Sequence, residues 1–139
     1  MNHWLIKSEP NTYSIEDLKK DKKTMWEGVR NYAARNNLRA MKKGDLCLYY
    51  HSNIDKAVVG LAKVVKVDYP DPTFKPENSK ENIWSVVDVA FVKILKNPVT
   101  LAKVKANASL KEMELVKYMR LSVQKVSKKE FEAILKMGE

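Results

Sequence analysis

Apolar residues recur along this chain in two rhythms, and the change between them predicts most of the elements. The opening HWLIK is apolar but too short for a helix and runs into the turn-forming SEPN, which predicts a strand and then a turn. In SIEDLKKD, Ser14 with Asp17 three residues on has the pattern of a helix N-cap. NYAARNNLRAM takes helical spacing, with Ala34, Leu38 and Met41 on one stripe and Asn31, Arg35 and Arg39 on another, and Lys42, Lys43 and Gly44 end it. From Asp45 the rhythm is that of strands: DLCLYYHS, then AVVGLAKVVKV with Gly60 as a bend or bulge, then WSVVDVAFVKIL. Between the last two, YPDPTFKPENSKEN (Tyr69 to Asn82) lacks apolar periodicity and reads as a surface loop flanking a site. Past Pro98 the pattern predicts a helix TLAKVKAN capped by Thr100, a second helix LKEMELVKYM and a last strand RLSVQKV. A closing helix SKKEFEAILKM then opens on a Ser127/Glu130 capping box.

Helices interrupting apolar strands, with a strand again near the end, predict one α+β domain over residues 1–139 whose central strands curl into a small barrel. A chain of this length buries roughly two thirds of its unfolded surface and needs neither disulfide nor metal to fold. The lone Cys47, inside LCLYY, reads as a buried structural thiol in a reducing compartment. No apolar run is long enough to span a bilayer and the N-terminus does not resemble a signal peptide, so a cytoplasmic protein with no membrane partner is expected. The net charge of +9 favours a nucleic-acid partner without deciding it, because lysine-rich proteins are basic for other reasons too.

Candidate chemistry narrows by elimination. His3, His51 and Cys47 form no metal-ligand spacing, and His51 and Ser52 are adjacent on an extended strand, so they point to opposite faces and make a poor base and nucleophile. There is no phosphate-cradling glycine loop, and no cofactor is expected. What remains is a polar and aromatic set where strands meet loops: Lys7, Ser8 and Glu9, then Trp26, then His51 to Asn53, then Trp84. Taken singly, each tryptophan reads as core and HSN as a turn. Together they describe aromatic faces with hydrogen-bonding groups at the edge, which is how proteins hold a base turned out of a helix. Three of the four arginines, Arg30, Arg35 and Arg39, crowd into WEGVRNYAARNNLRAM, and arginine's flat fork suits phosphates and base edges. A helix extended back to Arg30 would place it near the core stripe without a partner, so the helix is expected to start after it and leave Arg30 for the pocket.

WLIKSEP, WEGVRNYAARNNLRAM, YYHSN, GLAKVV, WSVVDVAFV and RLSVQ, in this order over nearly the whole chain, resemble the EVE domain family, which includes the thymocyte nuclear protein group. The family belongs to the PUA-like superfamily with PUA, ASCH and YTH domains. The resemblance implies a PUA-like curved β-barrel of five to six strands flanked by helices, and a non-catalytic pocket for one modified base, modified cytosine or methylated adenine. Carried over by position, it implies Lys7 and Ser8 at the pocket floor, Trp26 and Trp84 as ring faces, Arg30 and Asn31 at its edge, Arg35 towards the phosphates, and His51 with Ser52 closing the far side. The partner so implied is modified DNA or RNA bound by a monomer. The chain as given lacks the basic N-terminal tail of nuclear relatives, which points to a prokaryotic protein. The competing readings are an ASCH-like hydrolase of modified nucleosides, with His51 or Glu9 as general base, and a small-molecule or protein-interaction module with a vestigial pocket.

Overall fold

The computed structural model describes residues 1–75 and 81–139. Six strands form one mixed sheet: β1 (His3–Ser8), β2 (Lys23–Met25), β3 (Leu46–His51), β4 (Ala57–Pro70), β5 (Ser85–Thr100) and β6 (Val123–Val126). The helices are α1 (Ile15–Asp21), α2 (Tyr32–Ala40), α3 (Leu101–Ala106), α4 (Glu114–Lys117) and α5 (Lys128–Met137), with a 3-10 turn at Ala108–Leu110. The strand order is β2-β5-β4-β3-β1-β6, with β1 and β3 parallel and the other pairs antiparallel. Four register shifts bend the long β4/β5 ladder, as bulges do, but among the described residues no ladder joins β2 to β6 to close the sheet.

The parallel pair β1 and β3 lies inside the sheet, between β4 and β6, and it reads as unbroken apolar runs because both of its faces are covered. Trp4, Ile6, Cys47 and Tyr49 enter a core with Ile15 and Leu18 of α1 and Ala34 and Leu38 of α2. Their neighbours Leu5, Leu48 and Tyr50 point the other way, into a second core with Leu101 and Val104 of α3, Leu115 of α4, and Phe131 and Ile134 of α5. The caps read from the sequence form as expected: Ser14 and Ser127 each make a complete capping box and Thr100 caps α3.

Two expectations are corrected, and one strand was not anticipated. LKEMELVKYM is not one helix: Leu110, Met113 and Leu115 are all buried, a spacing no single helical stripe provides, and only Glu114–Lys117 is α-helical. β2, three residues long, is too short to show a period, and it pairs with β5 through Lys23, Thr24 and Met25. The Tyr69-to-Asn82 stretch is only partly a surface loop. Tyr69 and Pro70 still pair with Val86 and Ser85, Asp71 is completely buried, and residues 76–80 lie outside the described residues.

Gly60 sits at a bulge, between register shifts on both of its neighbours. A Cβ there would fall 2.6 Å from the Lys93 carbonyl oxygen and 2.7 Å from Ile15 Cγ1, so the glycine lets the first turn of α1 rest directly on the sheet. Because neither neighbour can withdraw cheaply, Gly60→Ala is expected to lower the unfolding free energy by about 2 kcal/mol in urea denaturation.

Candidate functional site

A cavity of about 340 Å³ opens where β1 ends, walled by the Thr12–Tyr13 turn, by β2, and by the segment that leads from β2 to α2. Lys7 and Ser8 reach it because β1 pairs in register with β3 and ends beside His51. Trp26 forms a wall: only 8% exposed, it lies edge-on to Tyr49 with ring centroids 5.5 Å apart, and its backbone N–H donates to the Val87 carbonyl. The Tyr49 hydroxyl donates to the Tyr13 carbonyl at 2.7 Å and so fixes the opposite wall. Tyr13 itself donates to Asp21, and burial together with that carboxylate raises its pKa to about 12, keeping the phenol neutral. Lys7 is half-buried; its ammonium donates to the Met119 carbonyl at 2.5 Å, and burial lowers its pKa.

The rim is built on Asp71. Its Oδ2 accepts the Gly28 N–H at 3.0 Å and Arg30 Nη1 at 2.8 Å, while Oδ1 accepts the Thr73 N–H and hydroxyl. Burial by itself would raise the carboxyl pKa, but the Thr73, Arg30 and Gly28 donors outweigh it and bring it down to about 2. Gly28 can aim its N–H this way because its φ of +80° is open to glycine. The Arg30 guanidinium also lies 5.3 Å from the Phe74 ring and 5.7 Å from the Trp84 ring.

Of the residues expected at one pocket, the fold brings Lys7, Ser8, Trp26 and Arg30 together around this cavity. α2 begins after Arg30 as expected, yet Arg30 is not left free, since it carries the Asp71 ion pair. Asn31 is the N-cap of α2, its side-chain oxygen accepting the Ala34 N–H, so its hydrogen-bonding acceptor is spent on the helix. His51 does not close the cavity. It is buried beneath α1, where Nε2 accepts the Ile15 N–H at 3.0 Å and Nδ1 lies 2.8 Å from Asp55. A backbone amide can only donate, so Nε2 is unprotonated and Nδ1–H is given to Asp55: the ring is a cap, with no lone pair left for a general base. Ser52 lines a separate pocket of about 140 Å³ with Tyr50 and Asn53. Trp84 lies outside the lining of the Trp26 cavity, stacked instead on Tyr32 at 5.3 Å, and Arg35 lies over Tyr32 and donates to the Ile83 carbonyl. Among the described residues no cluster of histidine, cysteine and carboxylates has a metal-binding arrangement, and no helix is long and apolar enough to cross a membrane.

The sequence model of the EVE domain matches residues 2–137. The chain belongs to the EVE domain family. Human thymocyte nuclear protein 1 is 41% identical over 99% of this chain and 74% of its own length. The crystal structure of the human protein in complex with 5-methylcytosine-containing DNA superposes with a TM-score of 0.91 at 41% identity, covering all of this chain and 98% of that one. A hypothetical protein from Leishmania major aligns at 46% identity and a TM-score of 0.93, over 99% and 94% of the two chains. An ASCH protein from Zymomonas mobilis, at 12% identity and a TM-score of 0.58, shares the PUA-like fold alone.

Sequence reasoning about this EVE domain missed Asp71, Tyr13 and Thr24. Asp-Pro-Thr at 71–73 carries the signal of a side chain that turns back onto its own backbone, but Arg30 was expected to be free for the pocket, so its pairing with Asp71 was not anticipated. The folded-state pKa of Asp71 lies below its usual 3.8, so folding favours the charged form; its contribution is complete above about pH 4 and is lost as pH falls towards about 2. Asp71→Asn is expected to cost on the order of 2 kcal/mol at pH 7. Chemical denaturation of both proteins across this range checks it: the gap between them should shrink as the pH falls from about 4 to about 2.

Proposed function

We propose that this EVE domain holds one modified base, of the 5-methylcytosine kind, turned out of a DNA strand into the Trp26 cavity, and leaves it chemically unchanged. The observation that carries the reading is the cavity itself, with an aromatic wall and an arginine rim, in a chain 41% identical to a human protein solved with 5-methylcytosine-containing DNA. At about 340 Å³ it is near the small end of ligand sites and roomy for one base, which reaches such a cavity by leaving the stack. Extrusion costs a few kcal/mol, and stacking on one aromatic face returns about 1–3 kcal/mol. The hydroxyls of Ser8, Thr12 and Thr24 and the Lys7 ammonium supply groups for the base edge. The net charge of +9 adds a sequence-independent attraction to phosphates that weakens with salt.

Binding without turnover is the better fit, because a hydrolase needs a general base and His51 has both ring nitrogens engaged away from the cavity. Glu9, the other base considered, is exposed and accepts a hydrogen bond from Asn53.

Fluorescence anisotropy with duplexes carrying a single 5-methylcytosine, an unmodified cytosine or a methylated adenine, alongside matched RNA, tests the reading. The wild-type protein should prefer modified DNA. Ser8→Leu, which fills the cavity, should remove that preference and keep the salt-sensitive general binding; a folded Ser8→Leu protein that still discriminates would sink the proposal. Mass spectrometry of modified nucleosides after incubation should find no change in mass, whereas turnover would favour the hydrolase.

A further inference from the structure

Tyr32 and Trp84 form a stacked aromatic pair, 27° from parallel, that belongs to neither apolar core. Tyr32 is 60% exposed at the start of α2. A core aromatic is held by what covers it, but this pair is held from behind and left open in front. The Trp84 N–H donates to Asn82 Oδ1 and its carbonyl accepts the Asp71 N–H, each at 3.0 Å. One residue earlier, the Ile83 carbonyl accepts from Arg35 at 3.4 Å and Arg39 at 2.8 Å, and Arg39 also donates to Ser85 Oγ. Guanidinium groups flank the rings: Arg35 lies 5.0 Å from the centre of Tyr32 and 6.0 Å from that of Trp84, beside the stack and not across the far face of Tyr32, and Arg30 lies 5.7 Å from that of Trp84. Arg30 is also part of the cavity lining, so one side chain separates the two places.

We infer that the Tyr32–Trp84 ledge is a second nucleotide site, which stacks the nucleobase next to the extruded one on the open face of Tyr32. A rigid, exposed aromatic flanked by cations matches a flat, electron-rich ring carried on a polyanion, and stacking of this kind is indifferent to base identity. Extrusion of one base exposes the face of its neighbour, and the ledge covers that face. This inference rests on the base-binding reading of the Trp26 cavity.

The test uses Tyr32→Ala and Tyr32→Phe, substitutions at an exposed ring that leave the cavity intact. Tyr32→Ala is expected to weaken binding to 5-methylcytosine duplex about tenfold, and Tyr32→Phe to retain it. A 2-aminopurine placed beside the modified cytosine, on each side in turn, should be more quenched by the wild-type protein than by Tyr32→Ala at one of the two positions. Unchanged affinity together with equal quenching at both positions would overturn the ledge while leaving the cavity reading standing. If the wild-type protein showed no preference for modified DNA, the cavity reading would fall, and quenching of a plain single-stranded oligonucleotide would decide the ledge independently. Quenching lost in Tyr32→Ala supports it, and equal quenching in both proteins overturns it.

Discussion

One buried carboxylate ties the cavity rim to the Trp84 ledge. Asp71 takes four side-chain hydrogen bonds, from Gly28, from Arg30 and two from Thr73, and its backbone donates to Trp84 and accepts from Asn82. These partners come from the cavity rim, the post-β4 loop and the lead-in to β5, three segments with no apolar core of their own. A charge out of water is costly unless its oxygens are satisfied, and here each carboxylate oxygen accepts two hydrogen bonds. The position of the rim relative to the ledge is therefore fixed by electrostatics, whereas the sheet beneath them is fixed by packing.

That division explains which parts were legible in the sequence. The strands and capped helices follow from period and cap chemistry: WLI and LCLYY read as strands buried on both faces, and Ser14, Thr100 and Ser127 begin the helices they were expected to begin. The break inside LKEMELVKYM was not legible, because Leu110 and Met113, three apart, fit a helix and only the burial of Leu115 with them reveals the folded turn. Nor was β2, whose three residues earn their place only through pairing with β5.

The candidate site was legible only in part, since four of the nine residues expected at one pocket line the cavity. Lys7, Ser8, Trp26 and Arg30 do meet, because strand ends and the glycine turn before α2 are set by local sequence. His51 and Trp84 sit at strand ends as well, but a strand end fixes only where a side chain starts. His51 turns under α1 because the Ile15 amide needs an acceptor, and Trp84 turns towards α2 because Arg35 and Arg39 draw the Ile83 carbonyl there. Both outcomes depend on hydrogen-bond partners far along the chain, which periodicity does not record.

The arginine cluster takes on a different meaning once its donors are followed. Arg30 spends its fork on Asp71 and Thr73, Arg35 on Ile83 and Asn36, and Arg39 on Ile83 and Ser85, so each guanidinium is engaged within the protein before any ligand arrives. Lysine, a strongly hydrated point charge on a flexible stem, makes poor use of such fixed geometry, and arginine makes good use of it while keeping its flat face available for a ring. On the proposed reading, the positive field towards a phosphate backbone falls to the more numerous lysines. The three clustered arginines hold the cavity rim and the ledge in place. Attraction and positioning are thus assigned to different residue types, which gives a lysine-rich chain a reason to gather three of its four arginines in one stretch.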